Sequence, residues 1–382
     1  MRGRGISKKE TAIPRTLIST NQDMSFLNKN IISFEPRIFG LDLSDLSVKA
    51  FQLEKNGKKD IVRGYGSLDI PLGNIEDGRI INKEQVVSAI KTLLKSPSAK
   101  KINSNKVICS LPESKAFVRI ITIPKMSEEE AHEAVKWEME ANMPMLLNEV
   151  YFDWQFLEGD SGENQKVLTA AVSREVVDDW MGVLASAGLD VYGLEIESMA
   201  TIRSLVGGNV ANDGTSLIVD LGARRTSFII AEGVVPYFTS SIPFSSEGIN
   251  DAIIKTLNVS EQEAEEAKIG NGIENRDEGN PIFKAVSPLL ENLVMEITKT
   301  MDFYGEMSKQ SKEVKRIILC GGGSNMKGME QYLNERLKKE VLVGDPWVNL
   351  NLGGNLPVIN KSVSVRYVTA IGLAIRALNY GN

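Results

Sequence analysis

The sequence predicts an α/β protein of two lobes built from a duplicated unit, with a subdomain inserted into the first lobe. Three observations carry this reading. The stretch "FGLDLSDLSVKAFQLEKNG", Phe39 to Gly57, is an apolar strand, a tight polar turn, a second strand and an Asn-Gly reversal. The same order returns in "TSLIVDLGARRTSFIIAEGVVPYF", residues 215 to 238, where Asp220 falls on Asp42 at an offset of 178 residues (220 minus 42). Finally, 382 residues exceed what one hydrophobic core usually organises, and residues 113 to 190 read as an extra strand-helix-strand-strand-helix block.

Along the chain, residues 1–35 are basic and rich in Ser and Thr, with no apolar stretch of the secretory type, and are expected to form a flexible extension. Residues 36–112 form the first lobe: strands in "RIFGLDL", "SVKAFQLE" and "KVICSLP", and a helix in "NKEQVVSAIKTLLKS" whose Val86, Val87, Ile90, Leu93 and Leu94 recur at helical spacing. In the insert, 113–190, the strand "KAFVRIITIP" closes at Pro124, and Ser127 with Glu130 forms a capping box for the helix that follows. Strands in "VYFDWQFLE" and "KVLTAAVS" and a helix through "REVVDDWMGVLASAG" complete it. The chain returns to the first lobe at 191–208 and again at 363–380. The second lobe, 214–362, repeats the hairpin and carries a helical subdomain at 246–313, including a long helix through "LLENLVMEITKTMDFYGEMS". Its strand "VKRIILC" runs straight into Gly321-Gly322-Gly323 and a helix in "NMKGMEQYLNERL".

Composition narrows the function. The 44 basic residues against 50 acidic ones leave a net charge of −6, which disfavours nucleic acid and anionic membrane. Cys109 and Cys320 each lie in an apolar run and read as buried core thiols of a reducing compartment. The single histidine, His132, sits in a charged helical stretch, which argues against histidine catalysis and His-rich metal sites. No run approaches the roughly 18 apolar residues of a membrane-spanning helix. A cytoplasmic protein is expected, reaching a membrane only through partners.

The turns carry the chemistry. A triphosphate needs inward-facing backbone N–H groups, which glycine and small hydroxyl residues permit, and a carboxylate to hold Mg²⁺ through water. The turn after Asp42 supplies Ser44, Asp45, Ser47 and Lys49; the turn after Asp220 supplies Gly222, Ala223, Arg224, Arg225, Thr226 and Ser227. The Gly321–Gly323 run ends a strand and opens a helix, a place for base, sugar or phosphate. Each signal alone is weak, and their order across duplicated halves is far more specific.

That order resembles the actin-like ATPase superfamily, a ribonuclease H-like fold, and within it the PilM family of type IV pilus assembly proteins, relatives of the division protein FtsA. The resemblance runs from about Arg37 to Leu378. It rests on "GLDLSDLSVK" (40–49), "LPESKAFVRIITIPKMSEEEAHEAVKWEMEANMP" (111–144), "VDLGARRTS" (219–227), "AEEAK" (264–268) and "LCGGGSNMKG" (319–328), of which the second points to the pilus branch. It implies ATP and Mg²⁺ as cofactors, with Asp42, Ser44, Asp45, Ser47 and Lys49 as the first phosphate loop and Asp220, Gly222, Ala223 and Thr226 as the second. Mg²⁺ would be held through water at Asp42 and Asp220. Glu265 and Lys268 would reach ribose and adenine, and Gly321, Gly322, Gly323 and Ser324 would line the adenosine pocket, with Met326 and Lys327 at its edge. Position 45 departs from the pattern, since such loops usually carry glycine or a small hydroxyl residue there. A carboxylate facing a triphosphate repels it, so Asp45 either turns outward or weakens nucleotide binding.

The resemblance further implies a scaffold that uses nucleotide as a switch, at most a slow ATPase. The cytoplasmic N-terminal peptide of a PilN-like inner-membrane protein would lie in a groove between first lobe and insert, built from Val118, Ile120, Ile121, Ile123, Ala134, Trp137 and Ala141. PilO and the pilus motor ATPases would be indirect partners, and a homo-oligomer or ring a form of assembly. The helix after Ser127 bears apolar residues on two sides, Ala131/Val135/Met139 and Ala134/Trp137/Ala141, more than one core-facing stripe requires. Three alternatives stand beside this. The first is an FtsA-like division protein, which the absence of an amphipathic targeting helix after "AIGLAIRALNYGN" disfavours. The second is the cytoplasmic half of a type II secretion L-type protein. The third is a small-molecule kinase of the same superfamily, for which the sequence offers no convincing general base.

Overall fold

The computed structural model describes residues 37–96, 101–157, 162–207, 214–276, 279–308, 313–353 and 359–380. The expected extension at 1–35 lies outside them. Two five-stranded sheets share one topology. In the first the order is Asp190–Ile196, Lys106–Leu111, Ile38–Leu43, Ser47–Asn56, Lys59–Asp69; in the second it is Glu340–Val343, Val314–Cys320, Thr215–Leu221, Thr226–Glu232, Val235–Ile242. Each central strand ends at its aspartate turn and pairs antiparallel with the strand after it, Asp42 opposite Lys49 and Asp220 opposite Ser227. On the other side each runs parallel to a returning strand, so the duplication extends to strand order and direction. The third antiparallel strand of each lobe was not foreseen, because Gly64 and Gly66 interrupt one and Pro236 opens the other.

Strands that are buried on both faces, such as Ile38–Leu43, need cover on each side. On one side Leu41 and Leu43 join a core with helix Lys83–Lys95. On the other lies the C-terminal helix Val368–Leu378, buried at every position but its last. Glycine sets how close it comes: a Cβ at Gly40 would stand 2.5 Å from Ala370 O, and one at Gly372 would overlap Ala200 O of helix Glu197–Leu205. Gly372→Ala is therefore expected to cost about 1–3 kcal/mol by overpacking, read as a lowered midpoint in urea denaturation.

The insert's three strands run antiparallel in the order Ala116–Pro124, Asn164–Ser173, Val150–Phe156. Helix Glu128–Asn142 starts with the capping box at Ser127 and Glu130 and covers one face with Ala131, Val135 and Met139. Helix Arg174–Ser186, expected within the 113–190 block, packs instead into the first lobe's core through Val176, Trp180 and Leu184, and Trp180 Nε1 donates to Ser110 O at 2.8 Å. In the second lobe the long helix is Pro281–Met307, beginning before the expected Leu289. Asn280 caps it and Pro281 takes its first turn, where a missing N–H costs nothing. The glycine run passes into a short 3-10 turn, Gly322–Asn325, and the α-helix begins at Met329, after Gly328 at φ 84°.

Candidate functional site

Both aspartate turns open onto one cleft of about 850 Å³ between the lobes, within the size range of small-molecule sites. Its walls include Asp42, Ser44, Asp45, Ser47 and Lys49 from the first turn, and Asp220, Gly222 and Ala223 from the second. Glu265, Gly321 and Gly322 line it as well. The side chain of Asp42 is held on two sides: Ser110 Oγ donates to Oδ1 at 3.2 Å and Lys49 Nζ lies 3.3 Å from Oδ2. Lys49 also donates to Ser47 Oγ at 2.7 Å. Opposite, Asp220 is partly buried, and its carboxyl is pushed up to about 6 by desolvation, then by the charge of Asp42, with Lys49 pulling the other way. Cys320 occupies beside Asp220 the place Ser110 holds beside Asp42. Burial pushes both the Cys109 and Cys320 thiols up, as inert core thiols should behave.

The second turn is fixed by the helix it precedes, through Ser246 N to Gly222 O and Glu247 N to Ala223 O, both 3.0 Å. At the end of strand Val314–Cys320, Gly321 sits at φ 78°, and a Cβ there would overlap Asp220 Oδ1. The chain passes tightly under the carboxylate only because the residue is glycine. At Gly322, by contrast, a Cβ would meet nothing closer than Arg366 Nε at 3.9 Å, so it faces open cleft.

Several expected site residues do structural work instead. Thr226 is buried and donates to Phe244 O at 2.9 Å. Lys268 is 1% exposed and spends its ammonium on Ser246 Oγ at 2.9 Å and on Glu265. Burial opposes ionisation of Glu265, but the hydrogen bonds from Lys268 and Asn250 outweigh it and hold the carboxyl below its usual range. Ser324 donates to Gly321 O, Met326 joins the second lobe's core, and Gly323 packs on Leu221. Lys327 pairs with Glu274 at 2.8 Å. Asp45 resolves the departure at its position: its carboxylate accepts from Asp77 N at 3.1 Å and Gly78 N at 3.0 Å, so both oxygens are engaged by the neighbouring hairpin.

Two residues on the cleft floor were missed. Glu197 opens helix Glu197–Leu205, and burial, then Asp42, then Glu113 push its carboxyl well above the usual range. Glu113 is 7% exposed, accepts from Ser198 N at 3.0 Å, and its own N–H reaches Glu197 Oε2 at 3.3 Å. The signals were present in "LPESK" and "LEIESM" but isolated glutamates carry no meaning until the fold brings them under Asp42.

The expected peptide groove does not form one surface. Strand alternation sends Ile121 and Ile123 under the insert helix, while Val118 and Ile120 face the opposite side with Tyr151 and the first lobe's core. Ala134 is half-buried beside the first pair, whereas Trp137, 71% exposed, and Ala141 stand on the helix's solvent side.

The sequence family described as type IV pilus assembly protein PilM matches residues 40–378. Among solved structures, a PilM–PilN type IV pilus biogenesis complex is similar at 25% identity and a TM-score of 0.76, covering 90% of this chain and 99% of that one. The ethanolamine utilization protein EutJ from Carboxydothermus hydrogenoformans is similar in fold, at 15% identity and a TM-score of 0.51, covering 89% of each chain.

Proposed function

The chain belongs to the PilM family of type IV pilus assembly proteins and has an actin-like fold, and on that premise we propose that it is a cytoplasmic, nucleotide-binding platform of pilus assembly. The observation that carries the nucleotide part is the facing of Asp42 and Asp220 across one cleft whose turns leave room only where glycine stands. The residues fit Mg-ATP. Lys49, Ser44 and Ser47 present cation and hydroxyl donors to phosphate on one side, and the Gly222–Ala223 turn faces them from the other. Among the described residues no three His, Cys, Asp or Glu side chains group to ligate a metal directly, which suits Mg²⁺ held through water by Asp42 and Asp220. Glu265 is anchored by Lys268 and Asn250 and lines the cleft with Gly321 and Gly322; these residues would hold the nucleoside. A nucleotide held there would supply a polyanion to both aspartate turns.

The partner part rests on the likeness to the PilM–PilN complex. The chain would take the N-terminal cytoplasmic peptide of a PilN-like inner-membrane protein between the first lobe and the insert. The half-buried Val118, Ile120 and Tyr151 face that junction. No helix among the described residues is long and apolar enough to cross a membrane, and attachment through such a partner fits a peripheral place at the inner membrane. Calorimetric titration with this peptide tests the reading: Val118→Asp is expected to weaken binding about 10-fold or more by placing a charge on an apolar contact, with Trp137→Ala unchanged. If the wild-type chain binds no peptide, or if Trp137→Ala alone abolishes binding, the groove proposed here is wrong.

A further inference from the structure

The insert helix Glu128–Asn142 completes its core-facing stripe with Ala131, Val135 and Met139. On the opposite side Trp137 stands 71% exposed, with Glu133 one turn before it and Glu140 and Ala141 one turn after, all exposed. Among the described residues the indole makes no ring contact or hydrogen bond, so the packing of the insert gives it no role. The helix carries six glutamates against one lysine, Lys136, a net charge of −5 (1 minus 6). Those of the first turn suit the helix dipole, but Glu138 and Glu140 lie near the C-terminus, where the dipole opposes them and the last turn holds no basic residue. Glu129 and Glu133, four apart, repel each other. Among the described residues Glu129, Glu133 and Glu140 have no ion pair or hydrogen bond, so this charge is left unneutralised. The chemistry that recognises such a face is a segment of opposite charge with long apolar stems: one cation over the indole, others on the carboxylates.

The chain itself contains such a segment. "RGRGISKKETAIPR", residues 2–15, carries five basic residues against one acidic, a net charge of +4 (5 minus 1), with Ile6 and Ile13 among them. It lies outside the described residues. From Lys9 to Arg37, the first described residue, is 28 residues (37 minus 9), a length that reaches up to about 90 Å when extended. A compact chain of 382 residues has a radius of gyration of about 20 Å, so the segment can reach the insert of its own molecule. The covalent link raises its local concentration there above that of a separate chain. We propose that residues 2–15 dock on the Trp137 face of the insert helix of the same chain, with an Arg or Lys side chain over the indole and neighbouring cations on Glu133 and Glu140. This face is separate from the junction at Val118 and Ile120, which lie on the other side of the insert's sheet, so the docking does not depend on the partner peptide.

Carbodiimide treatment of the full chain tests this, because it joins a carboxylate to an amine only where the two touch, and mass spectrometry of the digested monomer locates the new amide. The expected product links Lys8 or Lys9 to Glu133 or Glu140. Its yield should fall about fivefold in Trp137→Ala, the loss of one exposed cation–π contact. Trp137→Tyr, which keeps an aromatic face, should keep most of it. The yield should also fall at about 1 M salt, where the screening length shrinks to about 3 Å. The side chain at 137 is exposed and alanine is a good helix former, so Trp137→Ala should melt as the wild type does, and a lower yield then reports the lost ring. Absence of the product, or an equal yield in a folded Trp137→Ala protein, overturns the docking. So does an even spread of products over exposed glutamates elsewhere, such as Glu84 and Glu306, which marks unspecific attraction. A product confined to cross-linked dimers overturns the assignment to the same chain.

Discussion

Asp220→Asn is expected to stabilise the protein and weaken its hold on Mg-ATP at the same time. Burial and the charge of Asp42 raise the Asp220 carboxyl to about 6, from 3.8 in an unfolded chain. Between those values the folded state keeps a proton that the unfolded state has released, so stability falls as pH rises and the full cost is present above about pH 6. A shift of this size corresponds to about 3 kcal/mol at neutral pH, and an isosteric amide carries none of it. Urea denaturation at pH 4 and pH 7 reads the effect: the variant gains at pH 7 and little at pH 4. Losing the carboxylate proposed to hold Mg²⁺ through water is expected to weaken Mg-ATP about 10- to 100-fold. A variant that loses stability at pH 7 contradicts the assignment of a strained, functional carboxylate.

Glu195→Ala is expected to act in the opposite direction and more strongly. Glu195 is wholly buried between Arg203, whose Nη2 lies 2.5 Å from Oε1, and Arg376, whose Nη1 lies 3.2 Å from Oε2. Burial disfavours its charge, but the two guanidinium groups outweigh that and hold the carboxyl below its usual range. Arg376 belongs to the C-terminal helix and Arg203 to Glu197–Leu205, so the triad pins both helices to the first sheet. Removing the carboxylate leaves two arginines in the interior facing each other, at a cost of about 3–5 kcal/mol. The exposed pair of Arg63 with Glu54 makes the control, since Arg63→Ala should change stability by less than about 1 kcal/mol. Equal effects from the two substitutions would show that the buried triad is not what fastens the helices.

The parts of the fold that were legible in the sequence are those set by local rules. The aspartate hairpins repeat because each is a strand, a tight turn and a strand whose residues are neighbours in sequence. The cap at Ser127 follows from hydroxyl and glutamate spacing. What was not legible depends on packing between distant segments. Glu113 and Glu197 lie 84 residues apart and gain meaning only when strand Asp190–Ile196 pairs beside Lys106–Leu111. Asp45 reads as a repulsive intruder in the sequence because its donors, the amides of Asp77 and Gly78, sit on a small hairpin more than 30 residues on. The groove residues that the resemblance implies lie along strand and helix alike, and the strand's two-residue alternation divides them between faces. Lys268 read as a ligand contact, yet its burial makes it the support of Glu265.

The claim that this cleft holds the nucleotide is tested most directly at Gly322. A Cβ there would meet nothing closer than Arg366 Nε at 3.9 Å, and the residue needs no left-handed backbone. Gly322→Phe should therefore fold with a wild-type melting temperature while filling the site. Calorimetric titration with Mg-ATP is expected to give one site per chain for the wild type and at least about 100-fold weaker binding for the variant. Wild-type affinity in a folded Gly322→Phe protein, or no binding to the wild type itself, would contradict the account.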